Sequence, residues 1–217
     1  MTILAVEFSS DQRSVAIARS GTVLACAEES GGRTAHAFAL IERALAGAKL
    51  ERDAIDCIAV GLGPGSYAGI RAGIALAQGW QLATGVRLLG ISTVEAMAAQ
   101  AAAMGMTGRI TLAIDAQRNE FYAATYQLDS GSFQLVSPLH IASLEAVKAG
   151  EGDRRLVVWP ELHGRFPGSE VLPPDAAALC RLAGARTDFI PGSELAPVYL
   201  REANFIKAAP ARVIPGL

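Results

Sequence analysis

Apolar and polar residues alternate along the chain in a way that predicts strands first and helices later. Three short apolar runs open the sequence, at 3–8, 14–18 and 22–28, and small polar turns separate them. Closely spaced runs of this length with tight turns between them are typical of antiparallel strands that follow one another in a sheet. The chain is therefore predicted to begin as a β-meander.

A helical period appears after the third run. Phe38, Ile41 and Leu45 are spaced i, i+3 and i+7, which places them on one face of a helix. Thr34 precedes them and is a residue type that caps helix N-termini. These features predict a helix over about 34–47 with one wide apolar stripe.

The next segments predict a strand at 56–60, a glycine-rich loop and a second helix. The elements expected after the loop are a helix at 67–83, a strand at 87–91 and a helix capped by Ser92 or Thr93 and reaching about 104. Strands that alternate with helices in this order indicate an α/β fold with a partly parallel sheet.

A glycine-containing segment at 105–108 is the predicted boundary between an N-terminal half, 1–106, and a shorter C-terminal half, 107–217. The elements predicted after it are strands at 110–115, 120–127 and 134–137, a short helix capped by Ser143, a strand at 156–159 and a helix at 173–185. The proline-rich tail from Ile190 shows little periodicity. The order of elements predicts one α/β plan used twice, although no residue-level repeat is visible.

Composition narrows the class of protein. Of the 217 residues, 51% are hydrophobic and 18% charged, the formal net charge is −2, and the mean hydropathy is +0.31. No apolar run reaches the roughly 18 residues of a membrane helix, so the excess apolar surface is attributed to a core or an interface. The near-neutral charge argues against a chain that grips a nucleic-acid backbone by itself.

Three widely spaced cysteines without a CxxC pair predict buried free thiols in a reducing compartment. The sequence opens on an apolar strand rather than on a basic targeting segment. We therefore expect a cytoplasmic protein without contact to a membrane.

The glycine loop is the strongest motif in the sequence, with Gly61, Gly63, Pro64, Gly65 and Ser66 between a predicted strand and helix. Such a loop can present backbone N–H groups to a phosphate at the helix N-terminus. It lacks the GK[ST] of a P-loop and the glycine spacing of a dinucleotide fingerprint. A phosphate-binding loop and a purely structural turn with Ser66 as N-cap both remain open.

Small residues recur along one face of the second predicted helix. Gly69, Gly73 and Ala77 are spaced i, i+4 and i+8. Because glycine within a helix costs about 1 kcal/mol relative to alanine, this stripe requires a reason. It allows another backbone to approach closely, and that backbone belongs either to the chain's own sheet or to a helix of another chain.

Three acidic residues lie at or just after predicted strand ends: Glu7, Asp11 and Asp115. Acids in such places bind Mg²⁺ or act in catalysis in many α/β proteins, although solvated turn residues have the same pattern. The three histidines are isolated, and Ser66 lies outside any G-x-S-x-G motif. The sequence therefore predicts neither a resident metal site nor a serine hydrolase.

Four segments together resemble the bacterial TsaB (YeaZ) family of tRNA threonylcarbamoyladenosine biosynthesis proteins. They are residues 3–7, the loop 61–73, residues 114–116 and the Pro-Val-Tyr-Leu-Arg block at 197–201. The resemblance runs through the whole chain. It implies the fold of actin, sugar kinases and Hsp70, with two ribonuclease-H-like halves of which the second is shortened.

The resemblance also implies a role. The chain would be a required, non-catalytic scaffold and activator subunit without a cofactor of its own. Its partner would be a larger paralogue, TsaD, which carries the metal and transfers threonylcarbamoyl to N6 of adenosine 37 in tRNAs reading ANN codons. An ATPase, TsaE, would join the pair, tRNA would be reached only through the complex, and the isolated chain would form a homodimer.

In the family, the two helices predicted at 34–47 and 67–83 form the partner-binding surface. The interface residues expected on this basis are His36, Phe38, Ile41, Leu45, Gly69, Ile70, Gly73 and Ala77. The competing hypothesis is a stand-alone Mg-dependent ATPase or phosphotransferase of the same superfold. It would use Glu7, Asp11 and Asp115 as remnants of a nucleotide site.

Two departures from the family pattern affect these expectations. Glu7 stands where related sequences usually have Asp, and its extra methylene would misplace a tightly held ion. Asn119 replaces a turn glycine, and asparagine tolerates the left-handed conformation that such a turn requires.

Overall fold

Two five-stranded sheets form the framework of the chain in a computed structural model, which describes residues 1–30, 37–149 and 155–200. The strands of the first sheet are β1 (Thr2–Glu7), β2 (Gln12–Arg19), β3 (Thr22–Ser30), β4 (Cys57–Gly61) and β5 (Arg87–Ile91). Their spatial order is β3-β2-β1-β4-β5. β1 pairs antiparallel with β2 and parallel with β4, so the sheet is mixed.

The second sheet repeats this plan. Its strands are β6 (Gly108–Asp115), β7 (Glu120–Asp129), β8 (Ser132–Ser143), β9 (Arg155–Val158) and β10 (Glu170–Val171). Read from β8, their order β8-β7-β6-β9-β10 matches that of the first sheet strand for strand. The central strand β6 again pairs antiparallel with the next strand and parallel with β9. The predicted α/β plan used twice is confirmed by the matching strand order of the two sheets.

Among the described residues, five α-helices pack on these sheets: α1 (Ala37–Ala48), α2 (Tyr67–Thr84), α3 (Thr93–Ala103), α4 (Leu144–Lys148) and α5 (Ala176–Gly184). One element is reduced in the second half: α4 has 5 residues, whereas α1 in the first half has 12. α2 begins where the Ser66 hydroxyl accepts a hydrogen bond from the Gly69 N–H, which is the N-cap of one of the two interpretations left open for the loop. It ends at Gly85, whose φ of 75° suits glycine.

Side chains of β1 alternate between two cores, as the period of a strand requires. Leu4 and Val6 face α1 and α2, whereas Ile3 and Ala5 face α5 on the other side of the sheet. α3 lies against the second sheet and contributes Met97 to its core. The first sheet is therefore covered in part by α5, which follows the second sheet in sequence. The second sheet is covered in part by α3, which precedes it in sequence.

The boundaries of most predicted elements agree with the structure to within a few residues. β8 spans Ser132–Ser143 rather than 134–137, and β10 was not predicted. α5 begins at Ala176, after the two prolines that were expected to start it. The proposed cap Thr34 lies outside the described residues. The division at 106 and 107 stays a prediction.

Cysteine burial differs from the prediction at one position. Cys57 and Cys180 are buried free thiols, but Cys26 is exposed on the edge strand β3. The prediction of a buried thiol is wrong there because an edge strand has a neighbour on one side only. Within the described ranges, no helix is long and apolar enough to cross a membrane.

Candidate functional site

A cavity of about 500 Å³ opens between the two halves. Its walls come from the turn after β1, the glycine loop and the turn after β6. Ser9, Asp11, Gly65, Ser66 and Asp115 are among the residues that line it. The structure thus brings two of the three predicted acids and the glycine loop to one cleft.

Glu7 lies beneath this cleft rather than in it. Its side chain is fully buried, its Oε1 accepts the Ser9 N–H at 2.8 Å, and its Oε2 accepts the Thr93 hydroxyl at 3.1 Å. Burial raises the pKa of the Glu7 carboxyl above its usual range. Gly61 provides the space, because a Cβ at that position would overlap the Glu7 carboxyl.

The expected grouping of Glu7, Asp11 and Asp115 around Mg²⁺ is therefore not formed. Glu7 is hydrogen-bonded within the protein beneath the cavity, and of the three acids only Asp11 and Asp115 line it. Within the described part of the chain, no three His, Cys, Asp or Glu side chains are grouped closely enough to hold a metal ion.

Three backbone amides in and just after the glycine loop donate hydrogen bonds within the protein. The Gly63 N–H donates to Thr93 Oγ1 at 3.2 Å, and the Ser66 N–H donates to the Ser9 carbonyl at 2.6 Å. The Gly69 N–H is taken by the Ser66 side chain at 3.3 Å. A phosphate would need such donors free, so the geometry favours the structural turn over the phosphate-binding loop.

Asp115 stabilises the turn that follows β6. Its two carboxylate oxygens accept the backbone N–H and the side-chain amide of Gln117, at 2.9 and 3.1 Å. Gln117, Arg118 and Asn119 all have positive φ, between 57° and 64°. Arg165 donates from the neighbouring segment to the Asn119 side chain. Asn119 thus adopts the left-handed conformation that the sequence analysis expected it to tolerate.

The small-residue face of α2 packs on the chain's own sheet. A Cβ at Gly73 would lie 3.4 Å from Val60 and 3.5 Å from Val6, and one at Gly69 would overlap the Phe8 carbonyl. Of the two interpretations left open for this stripe, close approach to the chain's own sheet is therefore the correct one.

This packing corrects most of the predicted partner interface. Six of the expected interface residues are buried in the chain's own core: Ile41, Leu45, Gly69, Ile70, Gly73 and Ala77. For five of them the prediction of a surface contact is wrong, because the apolar stripe of each helix faces its own sheet. Ile41 is the exception, since it also lines the groove between α1 and α2. Phe38 is 72% exposed, and His36 lies outside the described residues.

The opposite side of α1 and α2 forms a different surface. A groove of about 360 Å³ runs between the two helices, and Phe38, Ala75, Leu76, Gly79 and Trp80 line it. Leu82, one turn from Gly79, is 89% exposed. We call the groove and Leu82 the outer helix face. The sequence analysis placed the partner surface on these two helices and named Phe38, but it missed the stripe of Ala75, Gly79 and Leu82, which have the spacing i, i+4, i+7.

The late Pro-Val-Tyr-Leu-Arg block packs against the glycine loop. The Val198 N–H donates to the Leu62 carbonyl at 2.9 Å. The Tyr199 ring stacks on Tyr67 with centroids 5.8 Å apart. Two segments that are distant in sequence thus form one surface beside the cleft; Arg201 lies outside the described residues.

The sequence matches a family model and several curated proteins. Residues 33–148 match the family model described as TsaD, tRNA N6-adenosine threonylcarbamoyltransferase. The tRNA threonylcarbamoyladenosine biosynthesis protein TsaB of Escherichia coli K12 is 31% identical over 98% of this chain and 100% of its own length. TsaB of Haemophilus influenzae is 27% identical over 98% of both chains.

Solved structures agree with these sequence matches. YeaZ from Pseudomonas aeruginosa superposes with a TM-score of 0.78 at 29% identity, covering 92% of this chain and 99% of that one. A second structure, described as an uncharacterized protein with similarity to peptidase YEAZ from the same organism, has a TM-score of 0.79 at 30% identity with the same coverage. The similarity therefore extends over nearly the full length of both chains.

Proposed function

The chain belongs to the TsaB family, and we propose that it works in tRNA threonylcarbamoyladenosine biosynthesis as a non-catalytic subunit that binds the paralogue TsaD. The observation that carries the proposal is the outer helix face. Phe38 and Leu82 expose most of their side chains on two neighbouring helices, with an apolar groove between them. Exposed apolar patches of this kind mark interaction sites.

The outer helix face suits two helices of a partner. Ala75 and Gly79 are small, so a partner helix can approach α2 closely, while Phe38 and Trp80 offer the larger apolar contacts. Glu42 and Arg52 pair at the rim of the groove. An apolar centre with a polar rim is the usual anatomy of a specific interface, which should bury roughly 1,200–2,000 Å².

The non-catalytic role is supported by the state of the cleft. The Glu7 carboxyl, the Asp115 carboxylate and three amides of the glycine loop region are all hydrogen-bonded within the protein. A Mg-dependent ATPase or phosphotransferase, the competing hypothesis, would need these groups for metal and phosphate. Hydrolysis by a serine is not supported either, since Ser66 serves as the cap of α2 and no histidine appears among the described lining residues.

The proposed complex also accounts for the charge of the chain. A net charge of −2 gives little attraction to tRNA, so the partner would supply most of the basic contacts. We propose that TsaE joins the pair, that tRNA is reached through the complex in the cytoplasm, and that the outer helix face self-associates when the chain is isolated.

Binding to purified TsaD tests the interface. Leu82→Asp and Phe38→Asp place a charge on the outer helix face, and each should weaken binding at least about tenfold in titration calorimetry. Leu135→Asp is the matched control, because Leu135 is 53% exposed on β8, far from that face in the fold. All three variants should melt like the wild type. Unchanged binding in both helix variants, or equal loss in the control, contradicts the interface.

Omission of the chain tests the role. Purified TsaD, TsaE and a source of the threonylcarbamoyl donor are incubated with unmodified tRNA and labelled threonine, with and without the chain. Incorporation should require the chain, and the chain by itself should hydrolyse ATP no faster than its Asp115→Asn variant. Incorporation that is equal without it contradicts the role. Turnover by the chain that the variant loses supports the ATPase hypothesis instead.

A further inference from the structure

A group of hydrogen bonds around Glu7 ties together three segments of the chain. Glu7 accepts bonds from the Ser9 N–H and the Thr93 hydroxyl, at 2.8 and 3.1 Å. Thr93 Oγ1 lies 3.3 Å from the Ser9 hydroxyl and also accepts the Gly63 N–H. Glu7, Ser9 and Thr93 are each fully buried. The turn after β1, the glycine loop and the start of α3 are thus held at one point.

These hydrogen bonds are linked through α3 to the second half of the molecule. One turn along α3 from Thr93, the Met97 sulfur accepts a hydrogen bond from Trp159 Nε1 at 3.3 Å. Trp159 follows β9 and packs on Gly65, where a Cβ would lie 2.7 Å from the indole ring and would overlap the Ser9 carbonyl. The contacts therefore close a ring that returns to Ser9.

We propose that Glu7 is a positioning residue for the junction of the two halves, where its buried carboxyl closes this ring and so fixes the angle between the two sheets. The cleft lies between these sheets, so its width follows from the same angle. The proposal concerns the isolated chain and does not depend on the partner.

Because these hydrogen bonds are buried, losing one of them costs free energy of folding. A buried polar atom that loses its partner costs about 1–3 kcal/mol, more than the net gain from the bond itself. Removing the Thr93 hydroxyl would leave Glu7 Oε2 and the Gly63 N–H without a partner at the junction. Water can reach them only if the turn, the glycine loop and α3 separate, which changes the angle between the sheets.

The test measures the distance between the two sheets by electron double resonance on the full chain. Spin labels are placed on Cys26 and on Gln134→Cys, which lie exposed on the edge strands β3 and β8. Cys57 and Cys180 are buried, and burial raises their thiol pKa values to about 11 and about 12, so they stay unlabelled.

Thr93→Val removes the hydroxyl and keeps the side-chain shape. It should broaden the distance distribution or shift its mean relative to the wild type, and Glu7→Ala should do the same if it folds. Glu7→Gln should leave the distribution unchanged, because an amide can accept from Ser9 and donate to Thr93.

Thr111→Val is the matched control, since Thr111 is 2% exposed and shares a buried hydrogen bond with Thr125 away from the ring. It should lose stability without changing the distance. The proposal is overturned if Thr93→Val leaves the distribution as it is in the wild type. It is equally overturned if Thr111→Val or Glu7→Gln broadens the distribution as much as Thr93→Val does.

Discussion

Glu7 illustrates how one side chain changes its role with its surroundings. At the end of a strand its sequence position predicts an acid of a nucleotide site, and Asp115 in the matching place of the second half does line the cleft. The Glu7 carboxyl instead points into space left by Gly61 and is held by Ser9 and Thr93. The strand end could be predicted from the sequence. The direction of the side chain depends on residues over 50 positions away, which no local pattern reveals.

The buried carboxyl makes stability depend on pH. Burial raises the pKa of folded Glu7 above the usual 4.5, and the charge of Asp175 adds to the effect. As pH rises above about 4.5, the unfolded chain loses this proton while the folded chain keeps it, so the wild type becomes less stable. Each unit of pKa displacement corresponds to about 1.4 kcal/mol. Stability stops falling once pH exceeds the folded pKa.

Glu7→Gln removes that titration. The difference in free energy of unfolding between the variant and the wild type should therefore grow in favour of the variant between pH 4 and pH 8 in urea titrations. Glu51→Gln, a substitution of the same kind at an exposed position, is the matched control variant. A pH-independent difference for Glu7→Gln would mean that burial does not raise the pKa of the Glu7 carboxyl in the folded protein.

At the scale of elements, α2 shows what periodicity can and cannot specify. Its bounds were predicted closely, and the structure places Ser66 and Gly85 at its two ends. The small-residue stripe was predicted correctly as a site of close approach, but its assignment to a partner was wrong. Spacing shows which residues share a face of a helix, and it does not show what that face contacts. The outer stripe through Leu82 became visible only once the sheet was seen on the opposite side.

Two glycines of α2 should respond to alanine in opposite directions. Gly69→Ala places a methyl group against the Phe8 carbonyl, so it should destabilise the chain by about 1–3 kcal/mol. Gly79 is exposed with nothing within 4 Å of the position of a Cβ, so Gly79→Ala should stabilise it by about 0.5–1 kcal/mol. Thermal and urea unfolding measure both. Equal effects at the two sites would contradict the packing of α2.

At the scale of the molecule, the duplicated order of elements was predicted without any repeated residues. The two sheets confirm it strand for strand, which shows that element order carries topology even where sequence similarity has gone. The placement of α3 and α5 was not predicted. Both are alanine-rich, and an alanine-rich face fits any closely packed surface, so the sequence does not specify which sheet each helix covers.

Because α5 packs on the first sheet and α3 on the second, we predict that each half needs the other to fold stably. α5 covers the face of the first sheet formed by Ile3, Leu89 and Ile91, and a fragment of residues 1–106 lacks α5. Exposing such side chains costs about 1.5–3 kcal/mol each, against a total stability of about 5–15 kcal/mol. The fragment should therefore show no cooperative thermal transition by circular dichroism, and co-expression with residues 107–217 should restore one. A cooperative transition in the fragment by itself would mean that the first half is an independent domain and that α5 contributes little to its core.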